Sequence, residues 1–149
     1  MSLRAYDRAR VALAALGVAI SAYLTLLHYD SKIPLVCSSG SLVNCEQVLT
    51  SSSSMVLGVP VAAFGLLWFV VAIALVWGSL RPREGRPEPP GLRALSLGWT
   101  ATGTASVLWL IYEELGVVGK VCAWCTAIHL IVLALLVLQV LSDPLRTAR

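Results

Sequence analysis

The stretch VCAWCTAIHLIVLALLVLQVLS, residues 121–142, combines a Cys-x-x-Cys pair with a long apolar run. About 20 apolar residues are enough to cross the hydrocarbon core of a bilayer as an α-helix. Cys122 and Cys125 at the head of such a helix can switch between dithiol and disulfide with little backbone movement. The partial positive charge of the helix N-terminus also favours a thiolate there. The stretch therefore predicts a membrane helix with a redox-capable cysteine pair at one end.

The rest of the chain has the composition of a membrane protein. It is 58% hydrophobic and 13% charged, with a mean hydropathy of +0.82, whereas soluble domains are roughly 45–50% apolar and about 25% charged. Besides 121–142, apolar spans cover about 10–28, 55–78 and 92–112. The arginines before the first span also fit a signal peptide, but no small-x-small cleavage site follows it. We predict a single all-α domain over residues 1–149, an integral membrane four-helix bundle.

The loops between the spans differ in what they can do. Residues 81–91 are rich in Pro, Gly and charge and are predicted to be a solvated linker, and residues 113–120 are too few to hold a fold. Residues 29–54 form the candidate catalytic loop. Within it, Asn44 followed three positions later by Gln47 favours a short capped helix. Such a helix would lie across the mouth of the bundle as a cap and hold Cys45 near Cys122.

Basic residues indicate the orientation, because Lys and Arg of short loops are retained on the cytoplasmic side. Nine of the 11 stand at the N-terminus, in the second loop and its edge, or in the tail: Arg4, Arg8, Arg10, Arg81, Arg83, Arg86, Arg93, Arg146 and Arg149. Only Lys32 and Lys120 stand in the other two loops. Both termini are therefore expected in the cytoplasm and both cysteine pairs on the outer, oxidising face of a plasma or inner membrane. The net charge of +3 is explained by this topology, so nucleic acid is not expected as a partner.

The four cysteines form two pairs on the same side. Cys37 and Cys45 are spaced C-x7-C in the polar loop, while Cys122, Cys125 and His129 share one face of the last span. This spacing predicts Cys122 at the water interface and Cys125 about one turn deeper, facing a ligand dissolved in lipid. Thiol pairs that exchange with one another are the minimal apparatus of thiol–disulfide exchange. The alternatives are a bracing loop disulfide and a zinc site, and the oxidising location disfavours zinc, so no metal is expected.

The chain resembles the vitamin K epoxide reductase family, in particular its bacterial members. The resemblance rests on a loop cysteine pair before span two, on C-x-x-C opening span four, and on CEQVLTS (45–51), GVP (58–60) and Phe64-Gly65; it covers roughly residues 21–135. It implies a membrane thiol:quinone oxidoreductase that supports disulfide-bond formation. The implied acceptor is a menaquinone, a ubiquinone or a phylloquinone.

The resemblance also implies a role for each matched residue. Cys37 would exchange with a reduced thioredoxin-like or DsbA-like protein, and Cys45 would attack the Cys122–Cys125 disulfide at Cys122. Cys125 would then face the quinone. Ser51 matches a serine that places the quinone or the cap. Trp124, His129 and Phe64 are further candidate quinone contacts.

Some features depart from the family pattern. Vertebrate members carry a tyrosine at the position of His129 and an asparagine ahead of span two, where this chain has Ser52, Ser53 and Ser54. These departures favour quinone reduction over epoxide reduction. Many bacterial relatives have a fused thioredoxin-like domain, whereas this sequence stops at Arg149, so the redox partner is expected to be a separate protein.

Two other functions remain open. A DsbB-type quinone reductase also has four spans, but its C-x-x-C pair precedes the wider pair, the reverse of the order here. A non-enzymatic four-span scaffold would use the loop disulfide only to present a binding surface.

His129 is either a quinone contact or a satisfied interior side chain. Glu113 and Glu114 are expected to be solvated charges at the outer end of span three.

Overall fold

The computed structural model describes residues 3–30, 32–37, 40–80 and 89–147. Its helices are α1 (Leu3–Tyr29), α2 (Cys45–Leu49), α3 (Val61–Leu80), α4 (Pro90–Tyr112) and α5 (Ala123–Thr147). All of these except α2 contain a stretch long and apolar enough to cross a membrane. The predicted membrane four-helix bundle with a short cap helix is confirmed. The arginine-rich part of the second loop, residues 81–88, lies outside the described residues.

Two helix boundaries differ from the prediction. The second long helix begins at Val61 instead of Met55, because β1 (Met55–Val56) and β2 (Val59–Pro60) pair as a small antiparallel hairpin. The turn residues of the hairpin, Leu57 and Gly58, have φ of 52° and 80°, which a helix does not accommodate. Farther along the chain, α4 continues into the expected third loop as a π-helical turn, Glu113–Val118. This turn ends at Gly119, which has φ 66°.

Close packing around α1 organises the bundle. Helix α1 packs along α3 and α5, and α4 packs on α5 and α3. A Cβ added at Gly17 would lie 2.5 Å from the ring of Phe69, and one at Gly103 would lie 2.3 Å from the ring of Trp68. Glycine at these two positions lets an aromatic ring lie directly against the neighbouring backbone. Large apolar side chains on the opposite faces remain exposed, as lipid-facing surfaces require, for example Leu16, Leu67, Val70, Leu108, Leu130 and Val137.

A buried polar cluster joins the helices at the end of the bundle away from the cysteines. The Arg10 guanidinium lies 3.7 Å from the Asp7 carboxylate and donates to the Ser96 hydroxyl at 3.2 Å. Ser96 in turn donates to the Gln139 side chain at 3.3 Å. Arg10 is 4% exposed, and a buried charge requires such partners. This cluster therefore links α1, α4 and α5.

The glycine packing can be tested by Gly17→Ala. The new methyl group would displace the buried Phe69 ring, and overpacking of this kind typically costs about 1–3 kcal/mol. We expect a lower thermal unfolding midpoint of the purified protein in detergent.

The matched control is Gly98→Ala in α4, where an added Cβ meets no atom within 4 Å. This change should leave the midpoint equal or slightly raised, because Ala is favoured over Gly inside helices by roughly 0.5–1 kcal/mol. A midpoint for Gly17→Ala at or above that of the control would contradict the close α1–α3 packing.

Candidate functional site

A short backbone bridge joins the first loop to the start of α5. The Val121 N–H donates to the Leu42 carbonyl at 3.0 Å, and the Asn44 N–H donates to the Val121 carbonyl at 3.1 Å. The Lys120 ammonium donates to the Ser41 carbonyl at 2.6 Å and extends this contact. Cys45 follows Asn44 in the chain and Cys122 follows Val121. The bridge therefore brings one cysteine of each pair together.

Helix α2 begins as the sequence predicts. The Asn44 side chain accepts a hydrogen bond from the Gln47 N–H at 3.0 Å, which caps the first turn. The Asn44 N–H is not capped in return by Gln47, since it donates to Val121. The helix turns Cys45 and Val48 inward, where they are 1% and 8% exposed.

The two cysteine pairs meet in one buried cluster. Cys37 and Cys45 form a disulfide, whereas Cys122 and Cys125 are free thiols. Cys45, Val48 and Cys122 form the centre of the cluster, and Cys37 and Cys125 pack at its edge. Cys122 is 0% exposed, so the prediction that it lies at the water interface is wrong. The cap helix covers it, and Cys45 of that helix belongs to the same buried cluster.

Hydrogen bonds within the C-x-x-C pair favour a thiolate at Cys122. The Cys125 N–H donates to the Cys122 sulfur at 3.4 Å, the position of a cap on the first turn of α5. The hydrogen bond from the Cys125 thiol lowers the pKa of the Cys122 thiol, and this effect outweighs burial, which acts in the opposite direction. A thiolate is the form that attacks a disulfide.

An apolar cavity of about 1400 Å³ lies beneath the cap, between the helices. Cys125 lines it, whereas Cys122 and the loop cysteines do not. Three of the four candidate quinone contacts also line it, namely Ser51, Phe64 and His129. The Ser51 hydroxyl donates to the Val48 carbonyl at 2.7 Å, which fastens the end of α2. His129 is 5% exposed and lies one turn beyond Cys125 on α5.

Trp124, the fourth candidate, lies outside the cavity lining. Its indole N–H donates to the Val36 carbonyl at 2.8 Å, and its ring packs edge-on against Tyr23 with centroids 5.3 Å apart. The Tyr23 hydroxyl donates to the Pro34 carbonyl at 3.0 Å. Trp124 therefore braces the loop segment that leads to Cys37. Trp124 as a quinone contact stays a prediction, while its described contacts are with the loop and with Tyr23.

Glu114 is a site residue that the sequence reasoning missed. It was expected to be solvated, but the π-helical turn directs it inward, where it is 7% exposed and lines the cavity. Its carboxyl group lies beside the Cys125 side chain and the Cys122 backbone and interacts with both. Its neighbour Glu113 accepts instead from the Ser53 hydroxyl at 2.6 Å. The sequence held no clear signal for this position, because Glu114 lies just beyond the predicted span 92–112.

Comparison with known proteins identifies the family. The sequence profile of the Vitamin K epoxide reductase family matches residues 8–140. The chain belongs to this family. The match covers both cysteine pairs and the four apolar helices, and it favours the vitamin K epoxide reductase interpretation over a DsbB-type protein. The family consists of membrane oxidoreductases that use quinones as substrates.

The buried contact between the pairs generates a trapping prediction for this vitamin K epoxide reductase family member. In Cys125→Ser, the Cys122 thiolate can attack Cys45 of the loop disulfide and release Cys37, and no Cys125 thiol remains to resolve the product. With an alkylating reagent present to block the released Cys37, a Cys45–Cys122 disulfide should accumulate.

Mass spectrometry of the linked peptides measures the product. The Cys122→Ser variant is the matched control and should keep the Cys37–Cys45 disulfide. Recovery of Cys37 joined to Cys122 as the only mixed species would reverse the order of the loop cysteines.

Proposed function

We propose that this protein oxidises a separate thioredoxin-like dithiol protein and reduces a quinone in the membrane, and so supports disulfide-bond formation. One observation carries the proposal: the free thiol pair has one member, Cys122, buried against the loop disulfide and the other, Cys125, on the wall of an apolar cavity. An inert brace or scaffold needs neither contact.

The electron transfer proceeds in three exchanges. A reduced partner attacks Cys37 of the loop disulfide, leaves as a disulfide, and yields two loop thiols. Cys45 then attacks Cys122 of a Cys122–Cys125 disulfide and expels Cys125; Cys37 attacks Cys45 and restores the loop disulfide. Finally the inner pair gives two electrons and two protons to the quinone and becomes a disulfide again. An oxidised loop with a reduced inner pair, the observed arrangement, corresponds to the stage before quinone reduction.

The cavity suits a prenylated quinone. Its volume of about 1400 Å³ exceeds the roughly 300–1,000 Å³ typical of small-molecule pockets. A quinone ring and part of a prenyl tail therefore fit together. Phe64 and the other apolar wall residues would contact the ring and tail, and His129 would lie near the ring. Ser51 would act through the cap, since its hydroxyl is directed to Val48.

The quinone reaction is tested with Cys125→Ala. Reduced protein in detergent is mixed anaerobically with a reduced thioredoxin-like protein and a short-chain quinone, and quinone absorbance is followed. The wild type should turn over, whereas the variant should lose quinone reduction because it lacks the thiol that faces the cavity.

The variant should still form the Cys37–Cys45 disulfide, which shows that the fold is retained. Cys125 would be excluded from the reaction if turnover persisted in the variant at the wild-type rate.

The proposed function also requires a defined orientation of the protein in the membrane. We place the cysteine-bearing ends of the helices on the outer face, where a disulfide persists, and both termini in the cytoplasm. The distribution of basic residues supports this orientation. The partner would then meet Cys37 on the oxidising side.

Thiol labelling of intact cells tests the orientation. After reduction, an impermeant thiol reagent added outside should label Cys37. In the Gly85→Cys variant, the new thiol lies among Arg81, Arg83 and Arg86 and should stay unlabelled until the membrane is opened. Labelling of the introduced thiol but not of Cys37 would invert the topology.

A further inference from the structure

Glu114 occupies a position that the relay of thiols does not explain. It is a carboxyl group at the wall of an apolar cavity, 7% exposed, and among the described residues it shares that wall with one thiol, Cys125, with which it interacts. Burying an ionisable side chain among apolar groups is costly unless it is paired. Here its described partners are the Cys125 side chain and the Cys122 backbone, both at the reacting pair.

The backbone around Glu114 holds it in place. Its carbonyl accepts from the Gly119 N–H and from the Lys120 N–H, the latter at 3.1 Å, which closes the π-helical turn. Single π-helical turns are often found at functional sites. The same turn gives the adjacent Glu113 a different direction, toward Ser53 of the loop. The two neighbouring carboxyl groups thus have separate contacts, one with the loop after the cap helix and one with the thiols.

We propose that Glu114 is the catalytic acid–base group of the quinone-reducing step, taking the proton of the Cys125 thiol and delivering it to a quinone oxygen. This inference rests on the proposed function and assigns a further residue to it. A group within hydrogen-bond reach of the proton it moves is the geometric requirement for such a role. Glu114 and Cys125 line the same cavity and interact with each other, which places Glu114 for this role.

The step balances in atoms and electrons. Cys122 reacts as the thiolate, the S–H bond of Cys125 breaks, and one S–S bond forms between the two sulfurs, which releases two electrons and one proton. The quinone takes both electrons and gains two O–H bonds, becoming the hydroquinone. Glu114 receives the Cys125 proton, passes it on, and returns to its carboxylate form. The second proton is the equivalent of the one that Cys122 lost on becoming a thiolate, and water supplies it to the hydroquinone.

Other polar groups of the cavity are less well placed for this transfer. His129 lies one turn deeper on α5, and among the described residues no hydrogen bond joins its ring to the cysteines. Glu113 is engaged with Ser53. Among the described carboxyl groups, Glu114 is the one that interacts with the Cys125 side chain.

The test measures quinone reduction and thiol exchange separately in the Glu114→Gln variant. Glu113→Gln is the matched control. In the first half-reaction, protein with a reduced inner pair is mixed with a short-chain quinone in a single turnover. Glu114→Gln should be slower than the wild type by about 100-fold or more, the usual contribution of general acid–base catalysis. Glu113→Gln keeps an oxygen acceptor for Ser53 and should stay near the wild-type rate.

In the second half-reaction, reduced loop thiols exchange with an oxidised inner pair. The Gln amide can still hydrogen-bond a leaving Cys125 thiolate, so Glu114→Gln should retain the wild-type exchange rate. Equal slowing of both half-reactions would assign Glu114 a structural role and overturn the proposal. A quinone rate for Glu114→Gln close to the wild type would overturn it as well.

A second variant covers the case in which Glu114→Gln does not fold. Glu114→Asp keeps a carboxylate, so it should recover part of the rate of quinone reduction and leave thiol exchange unaffected. The proposal would be contradicted if a folded Glu114→Asp variant reduced quinone as poorly as Cys125→Ala does. If the wild type itself reduces no quinone while exchanging thiols, the proposed function fails, which is distinct from a failure of the Glu114 assignment.

Discussion

Two backbone hydrogen bonds between residues 42–44 and Val121 are the constraint on which the site depends. Without them, the first loop would be tied to the bundle near the cysteines mainly by side chains. With them, Asn44 has its N–H fixed to α5 and its side chain fixed to α2, so the cap helix cannot shift along α5 without breaking both contacts. Cys45 and Cys122 are thereby held as neighbours, and their exchange becomes an intramolecular reaction with a high effective concentration.

The same constraint gives the four sulfurs different surroundings. The loop disulfide joins the partly buried Cys37 to the buried Cys45, Cys122 is enclosed between the cap and α5, and Cys125 faces the apolar cavity. Each sulfur therefore has a different set of possible partners. The brace from Trp124 to Val36 and the bond from Ser53 to Glu113 fasten the loop at two further points, one on α5 and one at the end of α4. The cap is thus attached on more than one side of the cavity.

The sequence predicted the features that depend on local rules. Run length and hydropathy identified the four spans, and the Asn44 cap followed from its spacing to Gln47. The hairpin at residues 55–60 was missed because its apolar residues continue those of α3, and hydropathy does not register the positive φ of Leu57 and Gly58.

The site was less predictable because it depends on contacts between distant segments. The burial of Cys122 and Glu114 requires the cap and the π-helical turn, which no helical periodicity reveals. Trp124 lies between the two cysteines in the sequence but projects from another side of α5, where it meets Tyr23 and Val36. Arg10 belongs to the basic N-terminus by composition, yet Asp7, Ser96 and Gln139 together provide a buried place for it.

The complete enclosure of Cys122 has a consequence for the selectivity of the proposed electron flow. Small soluble thiols of the surroundings cannot collide with a sulfur that no solvent molecule touches. The middle of the proposed path from the dithiol partner to the quinone is therefore shielded from solvent. Electrons reach Cys122 from the loop through Cys45, which packs against it. Direct transfer of electrons from a bystander thiol to Cys122 would first require the cap to move away.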